Sequence, residues 1–188
     1  MPRPRSFRSS KEFRAWMVKE HARTRNLLLR IYKKDSGVPS VTYAEALDQA
    51  LYFGWIDGQK LPFDAISWVQ KFTPRRARSG WSKINVAHVD RLIQGGQMTP
   101  AGLKEVEAAK ADGRWTSAYD SPANATVPPP EFVNELARNA KAKQFYATLN
   151  KANLYSIAYR LQTAKRSETK IKRIKLMIEM LARGEKFH

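Results

Sequence analysis

One segment of the sequence combines arginines, hydroxyl groups and an indole at the start of a predicted helix. It reads FTPRRARSGWSKIN over residues 72–85. Guanidinium groups bind phosphate through paired hydrogen bonds, an indole can stack on a base, and a helix N-terminus attracts anions. The pattern predicts a site for a phosphate or a nucleotide. Its predicted ligand residues are Thr73, Arg75, Arg76, Arg78, Ser79, Trp81, Ser82, Lys83 and Asn85.

The same segment also has a purely structural interpretation. Trp81 would anchor the helix in the core, and the arginines around it would form a solvated loop. Helix N-termini bind anions readily, but a vacant one is equally compatible with this sequence.

A second candidate is a single carboxylate between two glycines, Asp57 in GWIDG at residues 54–58. Asp57 and the adjacent Trp55 are included in the predicted ligand site. Acid–base catalysis normally uses paired groups, and Asp57 has no visible partner, so no catalytic residue is assigned and a structural role is favoured. The alternative hypothesis is a small-molecule enzyme. Its pocket would be formed by Tyr43, Trp55, Asp57 and Trp81 with an arginine clamp.

The C-terminal part carries a second group of cations, several of them three or four residues apart. A basic helix face of this kind can follow a phosphate backbone or an anionic membrane surface, or it can simply be solvated. The opposite face is needed to close a helical bundle, so nucleic acid is favoured over membrane. The predicted polyanion-binding residues are Lys165, Arg166, Lys170, Lys172 and Arg173.

The composition supports an anionic partner. The formal net charge is +17, from 34 Lys and Arg against 17 Asp and Glu in 188 residues. Such an excess attracts polyanions by counterion release, which points to nucleic acid, another polyanion or a small phosphate-bearing ligand. Hydrophobic residues make up 43% of the chain, enough for a folded core.

Several classes of site have no basis in the sequence. The chain contains no cysteine, and its three histidines, His21, His88 and His188, have no metal-ligand spacing. No glycine-rich phosphate loop is present, so neither a metal nor a cofactor is predicted. The N-terminus lacks the apolar stretch of an export signal and no segment has the length of a membrane span, so we predict a cytoplasmic protein. The oligomeric state is left open.

The N-terminal part has the pattern of a small α+β domain. We predict a helix over 9–21, a strand over 27–33, a helix over 42–54, a short strand over 55–57 and a turn near Pro62. A third strand would place three apolar side chains on one side: Ile66, Trp68 and Phe72. This order predicts a small three-stranded sheet flanked by helices.

Helices dominate the rest of the chain. Two of them are predicted before residue 113, the second beginning at Thr99 and Pro100. The proline-rich segment 121–130 is predicted to connect an α+β domain over 1–120 to a helical domain over 131–188. The last helix is expected to bury five side chains: Ile171, Ile174, Met177, Ile178 and Leu181.

Four stretches resemble the YdeI/OmpD-associated, or bacteriocin-protection, family. They are ALYFGWIDG at 50–58, FTPRR at 72–76 with Ser79, Trp81, Ser82 and Asn85, AKADGRW at 109–115, and AKRSETK at 164–170. The resemblance extends over nearly the whole chain and implies a role in stress or bacteriocin protection, without implying a particular reaction. Tyr52 stands where this family commonly has a cysteine, so no role of that thiol transfers. Together with the charge, the resemblance favours a non-enzymatic protein that binds an anionic partner.

Overall fold

The computed structural model describes residues 3–120, 127–164 and 166–186. The chain forms two compact units. The first unit comprises Met1–Trp81 and Asn85–Ser117, and the second comprises Ser82–Ile84 and Ala118–His188. Residues 121–126, which make up most of the predicted connector, lie outside the described residues.

The first unit contains a three-stranded antiparallel sheet, which confirms the predicted α+β fold. The strands are β1 (Leu27–Tyr32), β2 (Trp55–Asp64) and β3 (Ser67–Pro74), in the order β1-β3-β2. Leu27 lies opposite Phe72 across β1 and β3. Directly opposed residues share a face of the sheet, so their buried side chains form one apolar surface for the helices.

Strand β2 is longer than predicted. The sequence indicated a short strand over 55–57 and a turn near Pro62, but β2 continues through Pro62 to Asp64. A proline is tolerated there because β2 is an edge strand, where an N–H group on the outer side has no neighbouring strand to bond. Ile66, predicted to lie in β3, precedes that strand and is 44% exposed.

Among the described residues, four helices lie wholly or mostly in the first unit, and side-chain caps define several of their ends. They are α1 (Ser10–Glu20), α2 (Tyr43–Tyr52), α3 (Lys83–Gln94) and α4 (Pro100–Ala111). Ser9, Thr42 and Thr99 each accept a hydrogen bond from a backbone N–H group in the first turn of the following helix. The largest fully buried side chains of this unit are Phe13, Met17, Leu29, Leu51, Trp55, Phe72 and Leu92.

Helices account for the second unit. They are α5 (Pro130–Ala137), α6 (Ala140–Tyr146), α7 (Lys151–Gln162) and α8 (Ser167–Ala182). Their shared core includes Phe132, Ile157, Leu161, Ile174, Met177 and Leu181. None of the helices in the described part of the chain is long and apolar enough to cross a bilayer.

The burial predicted for Ile171 is wrong. Its side chain is 66% exposed, whereas Ile174 in the next turn is buried. Both isoleucines line a cleft of about 550 Å³ between α5 and α8. Helical periodicity places Ile171 at the margin of the apolar stripe, but it does not show that α5 leaves this margin uncovered.

Candidate anion-binding site

The predicted ligand segment begins at the end of β3 and continues as a loop in which two of the candidate residues are buried. We call residues Arg75–Trp81, between β3 and α3, the arginine loop. Arg75 is 7% exposed and Trp81 is 2% exposed. The guanidinium carbon of Arg75 lies 3.4 Å from the centroid of the Trp81 ring, and Arg75 Nη1 donates a hydrogen bond of 3.1 Å to the Gly80 carbonyl. These two side chains support the loop from inside. The structural interpretation placed Trp81 in the core, where it lies, but it placed Arg75 in a solvated loop, whereas Arg75 is buried.

A second buried arginine supports the same loop. Arg114, after α4, is 6% exposed, and its Nη1 atom donates to the Ser79 carbonyl at 2.8 Å. Its Nε atom lies 2.7 Å from a carboxylate oxygen of Asp112, and the neighbouring Trp115 ring meets Trp81 edge-on at 4.8 Å. Two guanidinium groups therefore hold adjacent carbonyls of one loop.

Arg114 is not among the site residues predicted from the sequence. The one indication of a role for Arg114 was that it lies, with Trp115, within one of the stretches that carry the family resemblance. Arg114 lies far along the chain from the loop it supports, so no local pattern connects the two.

The exposed cations of the loop are Arg76 and Arg78. The backbone N–H of Ser79 donates to the Arg76 carbonyl at 2.8 Å, and the Ser79 hydroxyl accepts from the Arg76 N–H at 3.2 Å. Among the described residues, no carboxylate forms an ion pair with either arginine. The loop therefore exposes two arginines whose charge no described carboxylate neutralises. Hydrogen bonds between Arg76 and Ser79 hold the backbone that carries them.

The remaining residues of the predicted segment are placed differently. Lys83 forms a 2.8 Å ion pair with Asp120, and both belong to the second unit. The hydrogen bond from Lys83 lowers the pKa of the Asp120 carboxyl below its usual range. Ser82 and Asn85 are buried, and Thr73 is half-buried in β3. Of the predicted ligand residues in this segment, all of which the structure describes, only Arg76 and Arg78 are both exposed and outside an ion pair.

The residues of the alternative pocket make different contacts. Trp55 is 1% exposed and donates from its ring nitrogen to the His21 carbonyl, so it is a core residue. The Tyr43 hydroxyl donates a 2.7 Å hydrogen bond to Asp57. Burial raises the pKa of the Tyr43 phenol, and the bond to Asp57 raises it further, so the hydroxyl stays protonated. The structure therefore brings Tyr43 and Asp57 together, whereas Trp81 packs against Arg75 and supports the arginine loop.

The predicted C-terminal cations differ in how far they are neutralised. Lys170 forms a 2.9 Å ion pair with Glu131, and this bond lowers the pKa of the Glu131 carboxyl. Arg173 donates to the Arg160 carbonyl. Arg166 and Lys172 are exposed, and Lys165 lies outside the described residues. These five predicted cations, which we call the C-terminal strip, therefore offer fewer available charges than the sequence suggests.

No group of three or more potential ligands among the described histidines and carboxylates is arranged to hold a metal ion.

Two family models match different parts of the chain. Residues 5–105, more than half of the chain, match a family described as a domain of unknown function, DUF8412. Residues 125–184 match the family described as bacteriocin-protection, YdeI or OmpD-associated. That match covers the helical second unit, so it is narrower than the resemblance over nearly the whole chain that the sequence indicated. No curated protein and no solved structure matches the chain significantly. The chain belongs to the DUF8412 family, and its C-terminal part is similar to the bacteriocin-protection, YdeI or OmpD-associated family.

Proposed function

We propose that this protein binds nucleic acid through the arginine loop, by contacts of Arg76 and Arg78 with the phosphate backbone. The observation that carries the proposal is the support of the loop. Two buried guanidinium groups, those of Arg75 and Arg114, bond to its carbonyls, while two other arginines point to solvent without ion-pair partners among the described residues. A loop held in place before binding loses less conformational entropy when the ligand arrives.

The chemistry of the loop favours phosphate over other anions. Each guanidinium fork can form two parallel hydrogen bonds with a phosphate group, and neighbouring phosphates recur along a nucleic-acid strand. The net charge of +17 adds attraction at longer range. The buried indole of Trp81 offers almost no surface for a base, so the proposed contacts are with the backbone and do not depend on base sequence.

The C-terminal strip is proposed as a second, weaker set of phosphate contacts. Arg166 and Lys172 are its exposed cations in the described part of the chain, and both lie on or next to α8. Because Lys170 is paired with Glu131, we assign it a smaller contribution than the sequence suggested.

The biological role is proposed by analogy with the family description of the C-terminal domain. We propose that nucleic-acid binding in the cytoplasm serves a stress- or bacteriocin-protection role. A strain carrying Arg76→Gln and Arg78→Gln should then survive bacteriocin exposure less well than the parent, at equal protein abundance. Equal survival would argue against this role.

The binding proposal is tested by fluorescence anisotropy of labelled duplex and single-stranded oligonucleotides over a salt series. The double variant Arg76→Gln/Arg78→Gln should bind more weakly, and the slope of log K against log salt should fall by about 1.8 for duplex DNA, corresponding to two lost phosphate contacts. The base sequence of the oligonucleotide should matter little.

A matched control is available in the same unit. Arg23 and Arg25 are also exposed and two residues apart, so Arg23→Gln/Arg25→Gln removes the same charge at the same spacing. This control should change the slope by much less. The proposal fails if the wild-type protein does not bind at low salt, or if both double variants lose affinity equally.

A further inference from the structure

A second aromatic and cationic site lies on the sheet of the first unit and shares no residue with the arginine loop. We call Tyr43, Asp57, Lys60 and Trp68 the Trp68 cluster. The Lys60 ammonium lies 4.3 Å from the centroid of the Trp68 ring, and the Tyr43 ring centroid is 5.9 Å from it. Trp68 is half-buried, so part of its indole remains accessible.

A β-bulge in the edge strand β2 positions Lys60. Asp57 lies opposite Phe72, but Lys60 lies opposite Gln70, so one extra residue is inserted between these pairs. Side chains alternate along a regular strand, so without the insertion Lys60 would point to the other face. The bulge turns it to the face that carries Trp68. Bulges are frequent beside functional sites, where they redirect a side chain.

A buried amide stabilises this bulge. Gln70 is 3% exposed, and its side-chain nitrogen donates a 2.7 Å hydrogen bond to the carbonyl of Gly58 in the inserted segment. A buried polar side chain is costly unless it is bonded, so this contact ties the insertion to the central strand. The orientation of Lys60 is therefore built into the packing of the sheet.

Two open clefts border Trp68. One, of about 490 Å³, is lined by Trp68 and Tyr43, by the apolar Val38 and Val41, and by Lys33 and Lys34. The other, of about 360 Å³, is lined by Trp68, Lys60 and again Lys33. Their volumes fall within the range of about 300–1,000 Å³ that small-ligand sites occupy. Aromatic and apolar walls with lysines beside them suit a ligand that is planar at one end and anionic at the other.

The charges around the clefts favour an anion. In the described part of the chain, none of Lys33, Lys34 and Lys60 forms an ion pair with a carboxylate. The Lys33 ammonium donates to the Ala65 carbonyl at 2.7 Å, which leaves two of its three donors. The nearby carboxylates are engaged, because Asp57 accepts from Tyr43 and Asp64 is paired with Arg30 at 2.6 Å.

We infer that the Trp68 cluster binds a nucleoside phosphate, with its base against Trp68 and Tyr43 and its phosphate on Lys33 and Lys60. Stacking on an indole tolerates any base, so the site selects the combination of a planar ring and a phosphate rather than one particular base. This site is independent of the arginine loop, and its existence does not require the proposed nucleic-acid binding.

Calorimetric titration with three probes, AMP, adenosine and inorganic phosphate, tests the inference on the full chain. AMP should bind at least about tenfold more tightly than either adenosine or phosphate, because only AMP uses both the stacking surface and the lysines. Trp68→Ala should weaken AMP binding by about tenfold or more, which is the effect of losing one stacked base. Lys60→Gln should weaken AMP but leave adenosine unchanged.

Lys71→Gln is the matched control. Lys71 is exposed on β3, and its position in the strand places it on the opposite face from Trp68, so the charge change is the same without loss of the site. Trp68→Phe keeps a ring in the sheet, and its weaker AMP binding serves as the test if Trp68→Ala does not fold. The inference is overturned if AMP binds no more tightly than phosphate, or if the Trp68 and Lys60 variants bind AMP like wild type.

Two further experiments are needed. The first distinguishes a free nucleotide from a strand end as the ligand, and the second distinguishes this inference from the proposed nucleic-acid binding. If the natural ligand is a free nucleotide, a 5′-phosphorylated oligonucleotide should compete with AMP no better than AMP itself; stronger competition identifies a strand end as the source. Arg76→Gln/Arg78→Gln should lose oligonucleotide affinity while its AMP affinity stays unchanged. Failure of the arginine loop and failure of the Trp68 cluster therefore give different results.

Discussion

The arginine loop and the Trp68 cluster both place a cation over an indole, but they differ in exposure. In the loop, Arg75 lies 3.4 Å from the Trp81 centroid and both side chains are buried. In the cluster, Lys60 lies 4.3 Å from the Trp68 centroid, the lysine is exposed and open clefts adjoin the ring. A buried pair of this kind stabilises a loop, whereas an accessible pair is available to a ligand.

The largest expected effect separates these two tryptophans. Trp81→Ala should lower the free energy of unfolding by about 3–5 kcal/mol, because it leaves a cavity against Trp115 and Arg75. Trp68→Ala should cost much less, since its ring is only partly buried. Urea unfolding followed by circular dichroism measures both. If both variants lose the same free energy of unfolding, the assignment of Trp81 to structural support and of Trp68 to a binding surface is wrong.

An intermediate effect is expected from the second buried arginine. Arg114→Lys keeps the charge but cannot hold both the Ser79 carbonyl and Asp112 with one planar group. The free energy of unfolding should fall by about 1–3 kcal/mol, the cost of leaving a buried hydrogen-bonding group unsatisfied. Oligonucleotide affinity should fall as well, although Arg76 and Arg78 are unchanged. Arg138→Lys, at an exposed ion pair, is the control and should leave both quantities near wild type.

If Arg114→Lys lowers stability and leaves oligonucleotide binding at the wild-type level, the rigidity of the loop has no part in binding. The proposed function would then rest on charge alone.

The smallest effect concerns Lys83, the cation of the predicted segment that is already paired. Its hydrogen bond lowers the pKa of Asp120 in the folded protein, so the pair contributes stability above the ordinary Asp pKa of about 3.9 and loses it as pH falls through the lower folded value. Asp120→Asn should therefore lower the Tm slightly at neutral pH, and the two Tm curves should converge in acid. A constant difference down to the lowest pH measured would contradict this account.

Lys83→Gln offers a further check on the same pair. It should change the salt slope for oligonucleotides less than Arg78→Gln does, because the charge of Lys83 is already balanced by Asp120. A larger loss for Lys83→Gln would shift the proposed contact from the loop to the start of α3.

Local sequence patterns predicted well those features of the fold that depend on residues close together in the chain. Capping residues marked the starts of α1, α2 and α4, and the three-stranded sheet followed from apolar runs separated by turn residues. The predictions for β2 and Ile171 were wrong because they depend on a neighbouring strand or helix that is distant in sequence. Strand β2 continues through Pro62 because pairing with β3 extends it, and Ile171 is exposed because α5 leaves it uncovered.

The candidate sites were predictable only in part. The run of arginines in the segment 72–85 was visible at once, but burial separates Arg75 from Arg76, and no residue type reveals that difference. Arg114 and the Trp68 cluster were not identified as site residues. Their partners come from distant positions in the chain, so only the folded structure brings them together.

The sequence by itself determined the strong positive charge, the order of helices and strands, and the segment in which the loop arginines lie. These properties depend on composition and on neighbours along the chain. The tertiary structure decided which cations are neutralised, which indole is accessible and which face Lys60 occupies. The reason is physical: ion pairing, burial and strand register depend on distances between residues that are remote in sequence, and a single inserted residue in β2 reverses the direction of a side chain.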